Sequence, residues 1–154
     1  MRVSVLNGPN LNLLGIREPQ VYGEERLEDI ERMLRAHAES LGVEIQWSQT
    51  NHEGQLIDQI QALPAAADGA LINAAALTHT SIGVRDALLA VEFPFVEIHL
   101  SNIFARDEQR RHSMIADLAV GVVAGFGARS YLLGLDALVG HLENSESGTN
   151  FRTP

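Results

Sequence analysis

Cysteine and lysine are both missing from this chain. Without cysteine there is no disulfide, no thiolate nucleophile and no zinc–thiolate centre. All 11 basic residues are arginine, which closes Schiff-base chemistry through a lysine amine and excludes a Walker-type phosphate loop. Aromatic residues make up only 5% of the chain, so the core must be built from Leu, Ile, Val and Ala. No apolar run approaches the roughly 20 residues of a membrane-spanning helix, and the sequence opens on a strand pattern rather than a signal peptide. A formal net charge of -9 argues against a nucleic-acid or anionic-membrane partner, either of which calls for a basic face. With no export signal, the expected location is the cytoplasm.

What remains is an ordinary globular composition, 45% hydrophobic and 20% charged, in 154 residues. That length suits one domain with a proper core. Short, nearly continuous apolar runs predict strands at 3–7, 43–49, 70–73, 95–99 and 119–124. Helical spacing alternates with them. Leu27, Ile30, Leu34 and Leu41 share one stripe, and Leu56, Ile57, Ile60 and Leu63 form a second. Val84, Ala87, Leu88 and Val91 form a third, and Leu132, Leu135, Leu138, Val139 and Leu142 a fourth. A further short helix with polar faces is expected around 106–115. Strands buried on both faces and alternating with helices predict an α/β protein, an open doubly wound five-stranded parallel sheet with helices on both faces. One domain over 1–142 is expected, followed by a mobile tail at 143–154 that has lost its periodicity.

Such sheets bind ligands in the crevice at the carboxyl ends of their strands. The polar residues gather there. Asn10 follows strand one, His52 and Glu53 follow strand two, and Asn73 to Ser81 follow strand three. Glu97 and His99 close strand four, with Ser101 and Asn102 just beyond. Strand alternation puts Glu97 and His99 on one face. That spacing fits a carboxylate orienting a catalytic imidazole, and equally a hydrogen-bonded pair at a strand end. Between the first strand and the first helix lies a long segment with no predicted element of its own, the kind that serves as a lid or binding loop. Leu11, Leu13, Leu14 and Ile16 within it would be costly to leave in water. Tyr22 there is either a surface aromatic or a phenol whose ionised form Arg17 favours. Thr80 or Ser81 is a candidate helix cap, Asp86 falls on the polar side of its helix, and Tyr131 is expected to pack or cap the last helix. His52-Glu53 lacks a second His at zinc-binding spacing, and Gly125-Phe126-Gly127 reads as a tight turn rather than a phosphate loop.

Four stretches go together: LNGPNLNLLGIREPQVYG at 6–23, QTNHEGQLID at 49–58, THTSIGVRDAL at 78–88 and EIHLSNIFARDEQRRHS at 97–113. In order and content the chain resembles the type II 3-dehydroquinate dehydratases, small flavodoxin-like enzymes. The resemblance implies trans-dehydration of 3-dehydroquinate to 3-dehydroshikimate through an enolate, in the shikimate pathway, with no metal and no organic cofactor. It implies Tyr22 as a tyrosinate base, Arg17 stabilising it, His99 as the acid, Glu97 orienting His99, and Asn10 positioning a water. It further implies substrate contacts from Asn73, His79, Asp86 and Arg110 and from the backbone at Leu100 and Ser101. The family's assembly, a homododecamer built of trimers, implies that Asp86 serves a neighbouring subunit. Departures from the family pattern fall at Ala74 and Ala75, where proline and then glycine or alanine are common, and at Gln109, where an aromatic is frequent.

Overall fold

The computed structural model describes residues 1–16 and 25–146. Among these, five strands form one parallel sheet in the order β2-β1-β3-β4-β5. They are β1 (Arg2–Asn7), β2 (Glu44–Gln49), β3 (Gly69–Asn73), β4 (Phe95–His99) and β5 (Gly121–Ala124). The helices are α1 (Leu27–Ser40), α2 (Glu53–Ala66), α3 (Leu77–Thr80), α4 (Ile82–Val91), α5 (Glu108–Arg111) and α6 (Arg129–Glu146). The doubly wound parallel architecture is therefore the one the apolar pattern predicts.

Alternation along each strand divides the core in two. Val3 and Val5 of β1, Leu71 of β3, and Val96 and Ile98 of β4 pack with Ile30 and Leu34 of α1 and Leu135 and Leu138 of α6. On the opposite face, Leu6, Ala70, Ile72 and Phe95 pack with Leu56, Ile60 and Leu63 of α2 and Val84 and Leu88 of α4. Gly134 lets α6 lie close on β4, since a Cβ there would sit 2.3 Å from Ile98 Cδ1. Helix α1 begins where Asp29 Oδ2 accepts the Arg26 N–H at 3.1 Å, and α4 begins where Ser81 Oγ accepts the Val84 N–H at 2.9 Å.

Several boundaries differ from the sequence expectation. Leu41 lies past the end of α1 and is exposed, and Ala38 completes that buried stripe instead. The segment after β1 is not featureless, because Leu11–Leu13 make a 3-10 turn. It buries Leu11 and Leu14, while Leu13 and Ile16 are exposed, Ile16 at 72%. Only Glu108–Arg111 of the expected helix at 106–115 is helical, preceded by a 3-10 turn at Ile103–Ala105. A single turn, α3, precedes the Ser81 cap. The last helix continues to Glu146, four residues past the expected end of the domain.

Order 2-1-3-4-5 reverses the direction of winding between β1 and β3, which opens a crevice at their carboxyl ends. The chain packs tightly at that seam. Gly8 N–H donates to Asn73 O at 2.8 Å, and a Cβ on Gly8 would lie 2.5 Å from Ala74 O. No side chain fits there, so the position requires glycine.

Candidate active site

The crevice is built from the ends of β1, β3 and β4 and has a volume of about 140 Å³. That is below the roughly 300–1,000 Å³ typical of drug-sized sites and suits a small metabolite. Asn10, Asn73, His79, His99, Leu100, Ser101 and Arg110 all line it. Glu97 stands directly behind His99. Asp86 is exposed on α4 and is not among the residues lining its own chain's crevice. Arg17 and Tyr22 lie outside the described residues.

Each lining group has a local reason for its place. Asn10 takes left-handed backbone (φ 68°), which asparagine tolerates better than most residues, and starts the 3-10 turn. Its N–H donates to Asn51 Oδ1 at 2.9 Å, so the end of β2 helps hold it. Asn73 is buried with both ends of its amide engaged. Oδ1 accepts the Ala75 N–H at 3.2 Å, and Nδ2 donates to the Tyr131 hydroxyl at 2.9 Å. That hydroxyl in turn donates to Asn7 Oδ1 at 2.6 Å. Tyr131 is wholly buried, and burial pushes its pKa above the ordinary phenol value, outweighing the Asn73 hydrogen bond that lowers it. Burial disfavours the charged form, so this phenol stays protonated.

Across the crevice stand two imidazoles. The His99 and His79 rings lie 6.4 Å apart, centroid to centroid, and nearly parallel at 19°. His99 Nε2 meets Glu97 Oε1 at 2.5 Å. His79 Nδ1 donates to the backbone carbonyl of His112 at 2.8 Å. A neutral imidazole has one donor and one acceptor nitrogen, so these bonds assign the remaining nitrogens: Nδ1 of His99 and Nε2 of His79.

Beyond them, Arg106 and Arg110 complete the wall. Arg110 Nη1 bonds Asp107 Oδ2 at 2.6 Å, and that hydrogen bond holds the Asp107 carboxyl below the usual carboxylate range. Two arginines and no carboxylate stand among the described lining residues, with Asp107 bonded to Arg110 and Glu97 to His99 just behind them. The described residues contain no group of three or more His, Cys, Asp or Glu placed to hold a metal ion. No described helix is long and apolar enough to cross a membrane.

Sequence reasoning passed over three contributors. Arg106 lies within the motif quoted at 97–113. Ser113 closes the same motif and Tyr131 reads as a packing residue, but no local pattern gives their hydrogen-bond partners, which the fold sets.

Comparison with known proteins bears on the family and the fold. The family described as "Dehydroquinase class II" matches residues 1–139. A 3-dehydroquinate dehydratase of Trichodesmium erythraeum (strain IMS101) is 54% identical over 142 residues, covering 92% of this chain and 95% of that protein. The crystal structure of a type II dehydroquinase from Butyrivibrio crossotus DSM 2876 superposes with a TM-score of 0.87 at 40% identity, covering 90% of this chain and 97% of that one. Its counterpart from Propionibacterium acnes gives a TM-score of 0.85 at 38% identity, with coverage of 90% and 96%.

Proposed function

The chain belongs to the class II dehydroquinases, and from that premise we propose that it removes water from 3-dehydroquinate to give 3-dehydroshikimate. The C2 proton lies beside a ketone, so its removal yields an enolate. Loss of the C1 hydroxyl as water then gives the conjugated enone. The observation that carries this reading is the Glu97–His99 pair at 2.5 Å, with His99 Nδ1 left to the crevice. From there an imidazolium can protonate the departing hydroxyl.

The base must come from another residue. A lysine imine, the alternative route to the same net reaction, is unavailable because the chain has no lysine. Of its two tyrosines, Tyr131 is buried, doubly hydrogen-bonded and held protonated. The family resemblance assigns the C2 proton to Tyr22, with Arg17 favouring its ionised form and stabilising developing negative charge. Asn10 positions a water on the enolate oxygen. Asn73, His79 and Arg110 hold substrate hydroxyls, and the backbone at Leu100 and Ser101 receives the carboxylate. The two arginines of the lining suit a substrate that carries a carboxylate.

Asp86, exposed on α4, fits a role in a neighbouring subunit's site within a dodecamer of trimers. The setting is the cytoplasmic shikimate pathway, leading to chorismate and the aromatic amino acids. The test is direct. The purified protein is incubated with 3-dehydroquinate and the conjugated enone followed by ultraviolet absorbance; no absorbance rise at high protein concentration refutes the assignment. Light scattering after size exclusion checks the assembly, and a monomer with full activity overturns the shared-site role of Asp86.

A further inference from the structure

Glu97 is completely buried, so each of its oxygens needs a partner. Oε1 meets His99 Nε2 at 2.5 Å, and Oε2 accepts the Ser113 hydroxyl at 2.9 Å. The serine oxygen is itself fully engaged. It accepts the Ile115 N–H at 3.2 Å and the Ala116 N–H at 3.0 Å. A hydroxyl has one proton and two lone pairs. With both lone pairs occupied by backbone donors, its proton has a single destination, Glu97 Oε2. Ser113 thus acts as an obligate donor and fixes Glu97 as an acceptor at that oxygen. With Glu97 as carboxylate, Oε1 accepts the Nε2–H of His99, which leaves Nδ1 for the crevice.

The same short stretch orients the second imidazole. The His112 carbonyl, one residue before Ser113, can only accept, so His79 Nδ1 must carry the proton between them. One residue after Ser113, the Met114 N–H donates to Thr78 O at 2.9 Å and ties the stretch to α3, the turn bearing His79. Residues 112–116 therefore hold both rings from behind without touching the crevice themselves.

We propose that Ser113 is a positioning residue for the acid: it clamps the Glu97 carboxylate, which fixes the ring tautomer and direction of His99. The proposal rests on the dehydratase reading for its kinetic consequence, but the clamp can be read without turnover. Ser113→Ala leaves Glu97 Oε2 without its donor in a dry site and frees the carboxylate to rotate. The expected result is a fall in kcat of about tenfold, the order seen when the hydrogen-bonded support of a functional imidazole is cut, with KM within about twofold. Ser113→Thr keeps the hydroxyl and restores kcat to within about threefold of wild type. Side-chain nitrogen NMR supplies the second readout. Neutral His99 shows the Nε2–H tautomer in the wild type and in Ser113→Thr, and a tautomer mixture in Ser113→Ala.

An Nδ1–H tautomer at His99 in the wild type overturns the clamp even if Ser113→Ala does not fold. So does a folded Ser113→Ala variant with unchanged kcat and unchanged tautomer. A wild-type protein that converts no 3-dehydroquinate defeats the reaction, not the clamp, and the tautomer then decides the clamp alone.

Discussion

Tyr131→Phe removes one oxygen from the interior and breaks two hydrogen bonds. The hydroxyl is wholly buried, donates to Asn7 Oδ1 at 2.6 Å and accepts from Asn73 Nδ2 at 2.9 Å. Neither asparagine can turn its amide to compensate. Asn7 Nδ2 is held by Ser48 O at 2.9 Å, and Asn73 Oδ1 by the Ala75 N–H at 3.2 Å. Each orphaned buried group costs about 1–3 kcal/mol, and the phenol's own desolvation is recovered, so the net loss is expected at about 2–4 kcal/mol. The single tryptophan, Trp47, has its ring 5.7 Å from that of Tyr131 and reports unfolding directly. Urea titrations of both proteins, at one protein concentration, give the difference from the midpoints. Alkali supplies an internal control. The native pKa of Tyr131 is raised, so above about pH 10 the unfolded chain releases a proton that the folded one keeps, and wild-type stability falls as pH rises. The variant lacks that slope, so the gap between the two proteins must narrow above about pH 10. A gap below about 0.5 kcal/mol at neutral pH, or one that fails to narrow in alkali, refutes the bridge as a source of stability.

Gly8→Ala should destabilise by about 1–3 kcal/mol or more in the same titration, because its Cβ would lie 2.5 Å from a backbone oxygen that cannot rotate away. Wild-type stability would show that the ends of β1 and β3 separate easily. Ala75 sits at φ 52°, where a side chain is strained by roughly 1–2 kcal/mol, so Ala75→Gly should gain about 0.5–1 kcal/mol after the glycine's larger unfolded-state entropy. A loss of stability would contradict that strain. Tyr22→Phe and His99→Ala should each lower turnover at least about 100-fold in the enone assay, and near-normal rates in either variant would remove that residue from its role.

The sheet was readable because its strands are short apolar runs, whose meaning depends little on their neighbours. Boundaries moved where a long-range bond decided them. Val120 reads as strand, yet β5 starts one residue later, and the Val120 N–H instead donates to Phe95 O at 2.8 Å. Site residues at strand ends were equally readable, since the fold rule places them and alternation sets their face. Glu97 and His99 needed only a spacing of two. Tyr131 reads as a packing residue of the last helix, and it does pack there. Its hydroxyl, however, joins residues 124 and 58 positions away, and no local pattern carries that. Ser113 is legible to the same small degree, because its role follows from which backbone donors occupy its oxygen.

Period-two geometry also explains why the crevice has two separately anchored walls. Asn7 and Asn73 lie on the sheet face covered by α1 and α6, where Tyr131 joins them. Glu97 and His99 alternate to the opposite face, beside Ile115 and the stretch that carries Ser113. The strand ends thus feed one cleft from both layers of the core, with Asn73 held from one layer and His99 from the other. A cleft built this way keeps polar side chains fixed without placing their supports where a substrate must lie. Both supports, Tyr131 and Ser113, engage buried acceptors whose alternatives are unpaired oxygens, so each is worth more there than a surface contact of the same length. That difference in environment makes a phenol 5.7 Å from a tryptophan ring a structural bridge, although its chemistry is that of a potential base.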